Sequence, residues 1–241
     1  MGTAGARFMV AKQVAASGGL MLEQDGTRLA IDPGPGALVQ YARRDVDLTR
    51  LDGLLLSHRH LDHSTDINVM IEGMTDGGFT RRGTLFCPAD ALDDDPVVLH
   101  YVRGFPEAVV RLEPETGYAL GGITFRTSPR HVHGVETYGF VFGDGALGWV
   151  TDSKYYDGIS EQHRAEVMVI HTVLLESHPR LPHLGVNDVE RILREARPRR
   201  AILTHFGMTV WRADPDQLAA GLSDRTGVAV EAARDGMVVE V

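Results

Sequence analysis

The chain has 241 residues, 43% of them hydrophobic, a net charge of −9 from 33 acidic and 24 basic side chains, and one cysteine. That length can bury a substantial core without covalent staples, and a lone Cys87 rules out an intrachain disulfide framework and fits a reducing cytoplasm. The acidic balance argues against long stretches of bound nucleic acid, and no apolar run approaches the roughly 18 residues of a membrane span.

Taken in chain order, Met1–Val10 lacks a charged region followed by an apolar stretch, so no secretory signal is expected. Apolar or alternating runs predict strands near 20–24, 28–32, 53–57, 84–87, 107–112, 122–128, 138–143, 146–151, 167–171, 200–204, 228–231 and 237–240. Asp25-Gly26 and Asp235-Gly236 read as hairpin turns between the first pair and the last. Helices are expected near 36–43, 64–72, 95–103, 187–196 and 214–223. For the fourth, Asn187 reads as the cap, Glu190 as its box partner, and Val189, Ile192, Leu193 and Ala196 as one apolar face. Elements alternate without a break or repeat, which predicts one domain, 1–241, with two similar halves. The basic runs Arg81-Arg82 and Arg197–Arg200 read as solvated faces.

The most informative segment is His58-Arg59-His60-Leu61-Asp62-His63, which follows the strand-like run Leu54–Ser57. Four of its six residues are metal-ligand types crowded where a strand gives way to a loop. Imidazole and carboxylate suit zinc, manganese or iron, and the absence of thiolate argues against a closed structural zinc site. Alternation lets His58 and His60 face one position while Asp62 and His63 serve its neighbour, which suggests two divalent metals.

This spacing resembles the His-x-His-x-Asp-His signature of the metallo-β-lactamase superfamily, and further motifs follow in order over about residues 18 to 210. Asp32-Pro33-Gly34 resembles the early aspartate that steadies the histidine loop. Thr151-Asp152-Ser153 resembles the segment whose aspartate bridges both metals, and Leu203-Thr204-His205-Phe206 the final strand-end histidine. In phosphodiesterase-like branches the third metal histidine precedes a Gly-aromatic pair by six residues. His133 stands six before Gly139, whereas strand alternation alone places His131 on the same face and leaves it a rival. The resemblance implies an α/β fold, a four-layer αβ/βα sandwich. It also implies ligand sets of His58, His60 and His133 against Asp62, His63 and His205, with Asp152 bridging.

By the same resemblance the chain is expected to be a dinuclear metal-dependent hydrolase, most directly a phosphodiesterase using metal-bound hydroxide, with zinc the first choice of metal. Asp62 has a spare oxygen to orient the nucleophile and accept its proton. His183, 22 residues before His205, matches in register the loop histidine of ribonuclease Z-like enzymes that protonates the leaving oxygen. The acidic partner expected for it, in a His-Glu-Ala-Thr segment, is replaced by Ile170-His171-Thr172-Val173, with Glu176 as the substitute within reach in sequence. The chain also shows no long basic, Gly-rich arm, which points away from tRNA. Hydrolysis of a lactone, thioester or other carboxylic ester is the alternative, followed by an iron-dependent oxygenase and a metal-binding sensor or scaffold. The expected partner is a small-molecule substrate, with a homo-oligomer left open and no membrane. His171 is placed at the mouth of the site. His100, His163 and His178 have no partner spacing, and Met70, Met74 and Phe79 read as packing or a substrate wall. Lys154, Tyr155 and Tyr156 follow the bridging aspartate without a defined role, and Trp149 and Trp211 carry none.

Overall fold

The computed structural model describes residues 1–17 and 19–241. Strands β1 (Leu20–Gln24) and β2 (Thr27–Ile31) form an antiparallel hairpin with Leu20 opposite Ile31. Its two-residue turn holds Asp25 and Gly26 at φ of 50° and 77°, the left-handed pair that matches strand twist. Strands β3 (Gly53–Leu55), β4 (Thr84–Cys87) and β5 (Ala108–Arg111) then add in parallel, completing a five-stranded sheet in chain order. The second sheet begins as an antiparallel meander of β6 (Gly117–Leu120), β7 (Ile123–Thr127), β8 (Phe140–Phe142) and β9 (Leu147–Val150). It continues in parallel through β10 (Val167–His171), β11 (Arg200–Thr204) and β12 (Ala229–Ala232).

The strands next to the centre are apolar throughout because both faces are covered. Leu55 joins Leu29, Ile31, Phe125, Phe140, Trp149, Val169 and Ile202 between the sheets. Its neighbours Leu54 and Leu56 point the other way, into a layer with Tyr41, Ile67, Met70, Ile71 and Met74. On the far side, Met168, Ile170 and Leu203 pack against Val189, Ile192, Leu193 and Leu222. The helices are α1 (Ala6–Lys12), α2 (Ala37–Ala42), α3 (Leu61–Ser64), α4 (Ile67–Met74), α5 (Ile159–Gln162), α6 (Val186–Ala196), α7 (Met208–Arg212) and α8 (Pro215–Thr226). With α2 and α4 outside one sheet and α6 and α8 outside the other, the arrangement is the expected four-layer αβ/βα sandwich.

Several local expectations need correction. No strand forms at 237–240. Asp235 instead turns its carboxylate back to the amides of Thr3 (2.9 Å) and Ala16 (2.8 Å), tying down the chain's start rather than closing a hairpin. The helix expected over 95–103 shrinks to a single 3₁₀ turn at His100–Val102, and the one expected over 64–72 breaks into α3 and α4. Asp66 sits at that break, where its amide donates to Pro33 O and its carboxylate accepts from Leu38 N. Strand β6 and helices α1, α5 and α7 were not foreseen. The cap of α6 is Gly185, whose amide donates to Asp188 (2.9 Å); Asn187 accepts from Ser177 N and Glu190 pairs with Arg194 and Arg225.

Candidate metal centre

The polar cluster forms where the parallel strands of both sheets end, the crevice in which open α/β sheets place their chemistry. Asp32 follows β2, Ser57-His58 follows β3, Asp152 follows β9, His171 closes β10 and His205 follows β11. His131 and His133 come from the loop between β7 and β8, so strand alternation does not govern them.

Hydrogen bonds decide which nitrogen of each ring is bare. Ser57 Oγ donates to Asp32 Oδ2 (2.5 Å) and therefore accepts from His58 Nδ1 (3.0 Å). His63 Nδ1 donates to Asp32 Oδ2 (2.9 Å), and His133 Nδ1 donates to the carbonyl of Pro182 (2.9 Å). In its neutral form each of these rings is left with its Nε2 lone pair directed inward. His133 Nε2 faces His60 Nδ1 at 3.0 Å. Among the described residues, His58 Nε2, His63 Nε2, His183 Nδ1 and both ring nitrogens of His205 are buried without a hydrogen-bond partner. Desolvated nitrogens of this kind are costly unless something electrophilic sits among them.

Two carboxylates complete the cluster. Asp152 Oδ2 lies 3.9 Å from His58 Nε2, 3.9 Å from His133 Nε2, 3.6 Å from His63 Nε2 and 3.5 Å from His183 Nδ1. Asp62 Oδ2 lies 3.6 Å from His63 Nε2 and 3.5 Å from His205 Nε2. Donors each about 2.0–2.2 Å from one ion stand about 3–4 Å from one another, so these separations fit cations of zinc size. The donor atoms fall into groups that include His58, His60 and His133 on one side and His63, Asp152 and His205 on the other.

The electrostatics agree. Burial lowers His58 well below the usual imidazole range and His60 to about 4, keeping both lone pairs free of protons at neutral pH. Burial opposes ionisation of Asp62 and Asp152, yet the surrounding imidazoles, led by His63 for Asp62 and by His205 for Asp152, hold both below the usual carboxylate range. His63 departs from this pattern: burial works against its charged form, but Asp62 and Asp32 hold it well above its ordinary value, so its Nε2 carries a proton that a bound cation would displace. The two ionised carboxylates make the cluster an electronegative seat compatible with a divalent cation.

Every residue expected at the site converges on it. His131 does not reach it. Its Nδ1 contacts the backbone carbonyl of Asp152 (3.1 Å) and its Nε2 meets His163 Nε2 at 3.2 Å, so it props the loop that carries Asp152. Gly139 leaves room for that pair, since a Cβ there would lie 2.1 Å from His163 Nε2. His171 is a wall residue rather than a mouth residue, buried and bonded through Nδ1 to Asp152 Oδ1 (2.9 Å). Glu176 is exposed and does not partner His183; the nearby carboxylate is Asp152. Tyr155 packs beside Arg191 and reaches Glu195, Tyr156 bonds Gln162, and Lys154 Nζ donates to Pro179 O. Met70 and Met74 are core, Phe79 is exposed, His100 is exposed, and His178 accepts from Arg180 N. Sequence reasoning missed the N-terminal segment. Gly5 abuts His205 so closely that a Cβ would lie 2.4 Å from its Nδ1, and Ala4 bridges Phe206. It also missed Trp149, whose indole N–H donates to His171 Nε2 (3.1 Å).

Residues 27–206 match the family described as the beta-lactamase superfamily domain. The chain belongs to the metallo-β-lactamase superfamily. An uncharacterized relative from Methanocaldococcus jannaschii is 26% identical over 254 residues, spanning all of this chain and 93% of its own. A ribonuclease Z of Kineococcus radiotolerans is 25% identical over 260 residues, covering 84% of this chain and 81% of the other. The crystal structure of the metallo-beta-lactamase fold protein YhfI from Bacillus subtilis superposes with a TM-score of 0.78 at 20% identity, covering 92% of this chain and 90% of that one. The superfamily fold and a metal-compatible His/Asp cluster together make this member a metal-dependent hydrolase.

Proposed function

We propose that this hydrolase is dinuclear and cleaves a small phosphodiester in the cytoplasm. His58 Nε2, His60 Nδ1 and His133 Nε2 would hold one cation, Asp62, His63 and His205 the other, and Asp152 would touch both. The observation that carries the reading is the tautomer pattern. Three separate oxygen acceptors, Ser57 Oγ, Asp32 Oδ2 and Pro182 O, take the Nδ1 protons and leave bare Nε2 atoms around one volume. Bound there, two divalent ions supply a lowered water pKa and charge neutralisation at a phosphoryl oxygen.

The chain's own residues do the rest. His183 and Asp62 keep 19% and 14% of their side chains exposed, while His58 and Asp152 are sealed at 0% and 1%, so substrate enters past the first two. Asp62 turns one oxygen toward His63 and His205, and its carboxylate can accept a proton from the nucleophile. His183 Nδ1 is buried, unpartnered and 3.5 Å from Asp152 Oδ2, and the part-exposed ring would deliver a proton to a departing oxygen. Likeness to a ribonuclease favours a phosphodiester over a carboxylic ester, and the net charge of −9 favours a small one over an RNA.

Elemental analysis of protein titrated with zinc or manganese should saturate at two equivalents, and saturation at one refutes the dinuclear reading. His183→Ala should slow an alkyl phosphodiester about 10²–10⁴-fold and a nitrophenyl diester far less, because only the poor leaving group needs the proton. Equal losses would refute the acid role. Lactone or thioester turnover exceeding all phosphodiester turnover by orders of magnitude would refute the substrate class.

A further inference from the structure

His171 lies among the cluster's donors, within reach of His63, Asp152 and His205, and by proximity it would count as an eighth ligand. Its hydrogen bonds say otherwise. The indole N–H of Trp149 can only donate, so His171 Nε2 must accept it with its single lone pair. The ring proton of neutral His171 then sits on Nδ1, which donates to Asp152 Oδ1 at 2.9 Å. Neither nitrogen is left for a cation. This is the reverse of His58, His63 and His133, whose Nδ1 protons go to acceptors outside the cluster and whose Nε2 atoms are bare.

Sheet geometry makes the contact. Trp149 on β9 pairs with Val169 on β10, so His171, two residues further along β10, is its diagonal neighbour on the inter-sheet face. Both side chains are sealed, at 2% and 4% exposure. The His171 ring also lies flat against His205, with centroids 4.3 Å apart and planes 6° apart.

We propose that Trp149 and His171 form a relay that sets which oxygen of Asp152 faces both metal positions. Trp149 fixes the His171 tautomer, and His171 pins Oδ1. The carboxylate can then no longer rotate, and Oδ2 stays directed at His58, His63, His133 and His183. The same ring backs His205, so one side chain steadies a residue from each of two strand ends. His171 is thus a positioning residue, and it rests on the reading of Asp152 as the residue shared by both ions. Partners that orient a metal ligand from behind are worth about 10–100-fold in metal affinity.

Nitrogen NMR of the wild-type imidazoles at neutral pH tests the tautomer without any variant or metal. A protonated Nδ1 and an unprotonated Nε2 on His171 are expected, and an Nε2–H ring overturns the relay even if the metal reading stands. Zinc affinity by competition with a chromophoric chelator tests the consequence. His171→Ala should weaken zinc about 10–100-fold while still reaching the wild-type stoichiometry at saturation. His171→Asn, whose amide N–H takes the place of Nδ1–H, should recover most of that loss. Trp149→Phe, which keeps the ring and removes the N–H, should weaken zinc several-fold. Loss of one whole equivalent in His171→Ala would make His171 a ligand and overturn the proposal, as would unchanged affinity or no recovery in His171→Asn. A wild-type protein that takes up less than two equivalents would instead break the dinuclear reading, which leaves the NMR result to decide the tautomer by itself.

Discussion

Asp32 touches no bare nitrogen of the cluster, yet replacing it should disable two of the rings that do. Its carboxylate is 2% exposed and accepts three bonds, from Ser57 N (2.7 Å) on Oδ1 and from Ser57 Oγ (2.5 Å) and His63 Nδ1 (2.9 Å) on Oδ2. Asp32→Asn keeps the shape and suits a position at φ 50°, where asparagine is tolerated. It turns one acceptor into a donor. With the amide oxygen kept by Ser57 N, the new NH₂ faces Ser57 Oγ and His63 Nδ1. Ser57 must then accept, and its proton turns to His58 Nδ1, which drives the His58 proton onto Nε2. His63 must likewise move its proton to Nε2. Both inward lone pairs are lost through one oxygen-to-nitrogen exchange. Two charge-assisted bonds at about 1.5–3 kcal/mol each are lost at Oδ2, and remaking both with the amide as neutral bonds at about 0.5–1.5 kcal/mol each leaves a net cost of about 2–3 kcal/mol. Zinc affinity should fall by about 10–100-fold for each of the two rings, roughly 10²–10⁴ together. Urea unfolding of chelator-treated protein measures the first quantity and chelator competition the second. Zinc affinity within about threefold of wild type would refute the tautomer reasoning.

Gly5→Ala should weaken zinc by pushing His205 off Asp62 and Asp152, because its Cβ would lie 2.2 Å from the His205 carbonyl oxygen; an unchanged zinc titration refutes the close approach. Gly139→Ala should lower stability by about 1–3 kcal/mol through its clash with the His131–His163 pair, read as a drop in the urea midpoint. Buried His163 has its pKa lowered to about 4 by burial, so the folded state binds fewer protons than the unfolded state between there and the usual 6.5. Stability is therefore fully present above that window and lost as pH falls through it, by about 3 kcal/mol at its lower end. His163→Gln should narrow the gap between urea midpoints measured at pH 7 and pH 4.5, and an unchanged gap would show that His163 does not drive it.

The two-sheet core was readable in the chain because strands covered on both faces must be apolar throughout. Leu54–Leu56 and Val167–Ile170 can hardly be anything else. The side chains that gather in the cluster were readable too, since metal-ligating residue types are few and His58, His60, Asp62 and His63 lie within six residues. Elements held by neighbours remote in sequence escaped. Strand β6 exists through its pairing with β7, α1 lies where Thr3 and Ala16 are tied to Asp235, and residues 237–240 form no partner strand. Which histidine does what was decided only in three dimensions. His131 and His133 differ by two positions, yet one meets His163 and the other meets Pro182 O and His60. His171 and Trp149 looked marginal or inert until β9 and β10 aligned them. A ring's protonated nitrogen is set by whatever donor or acceptor the fold brings to it. Composition supplies the imidazoles, and tertiary structure chooses the lone pair each one offers.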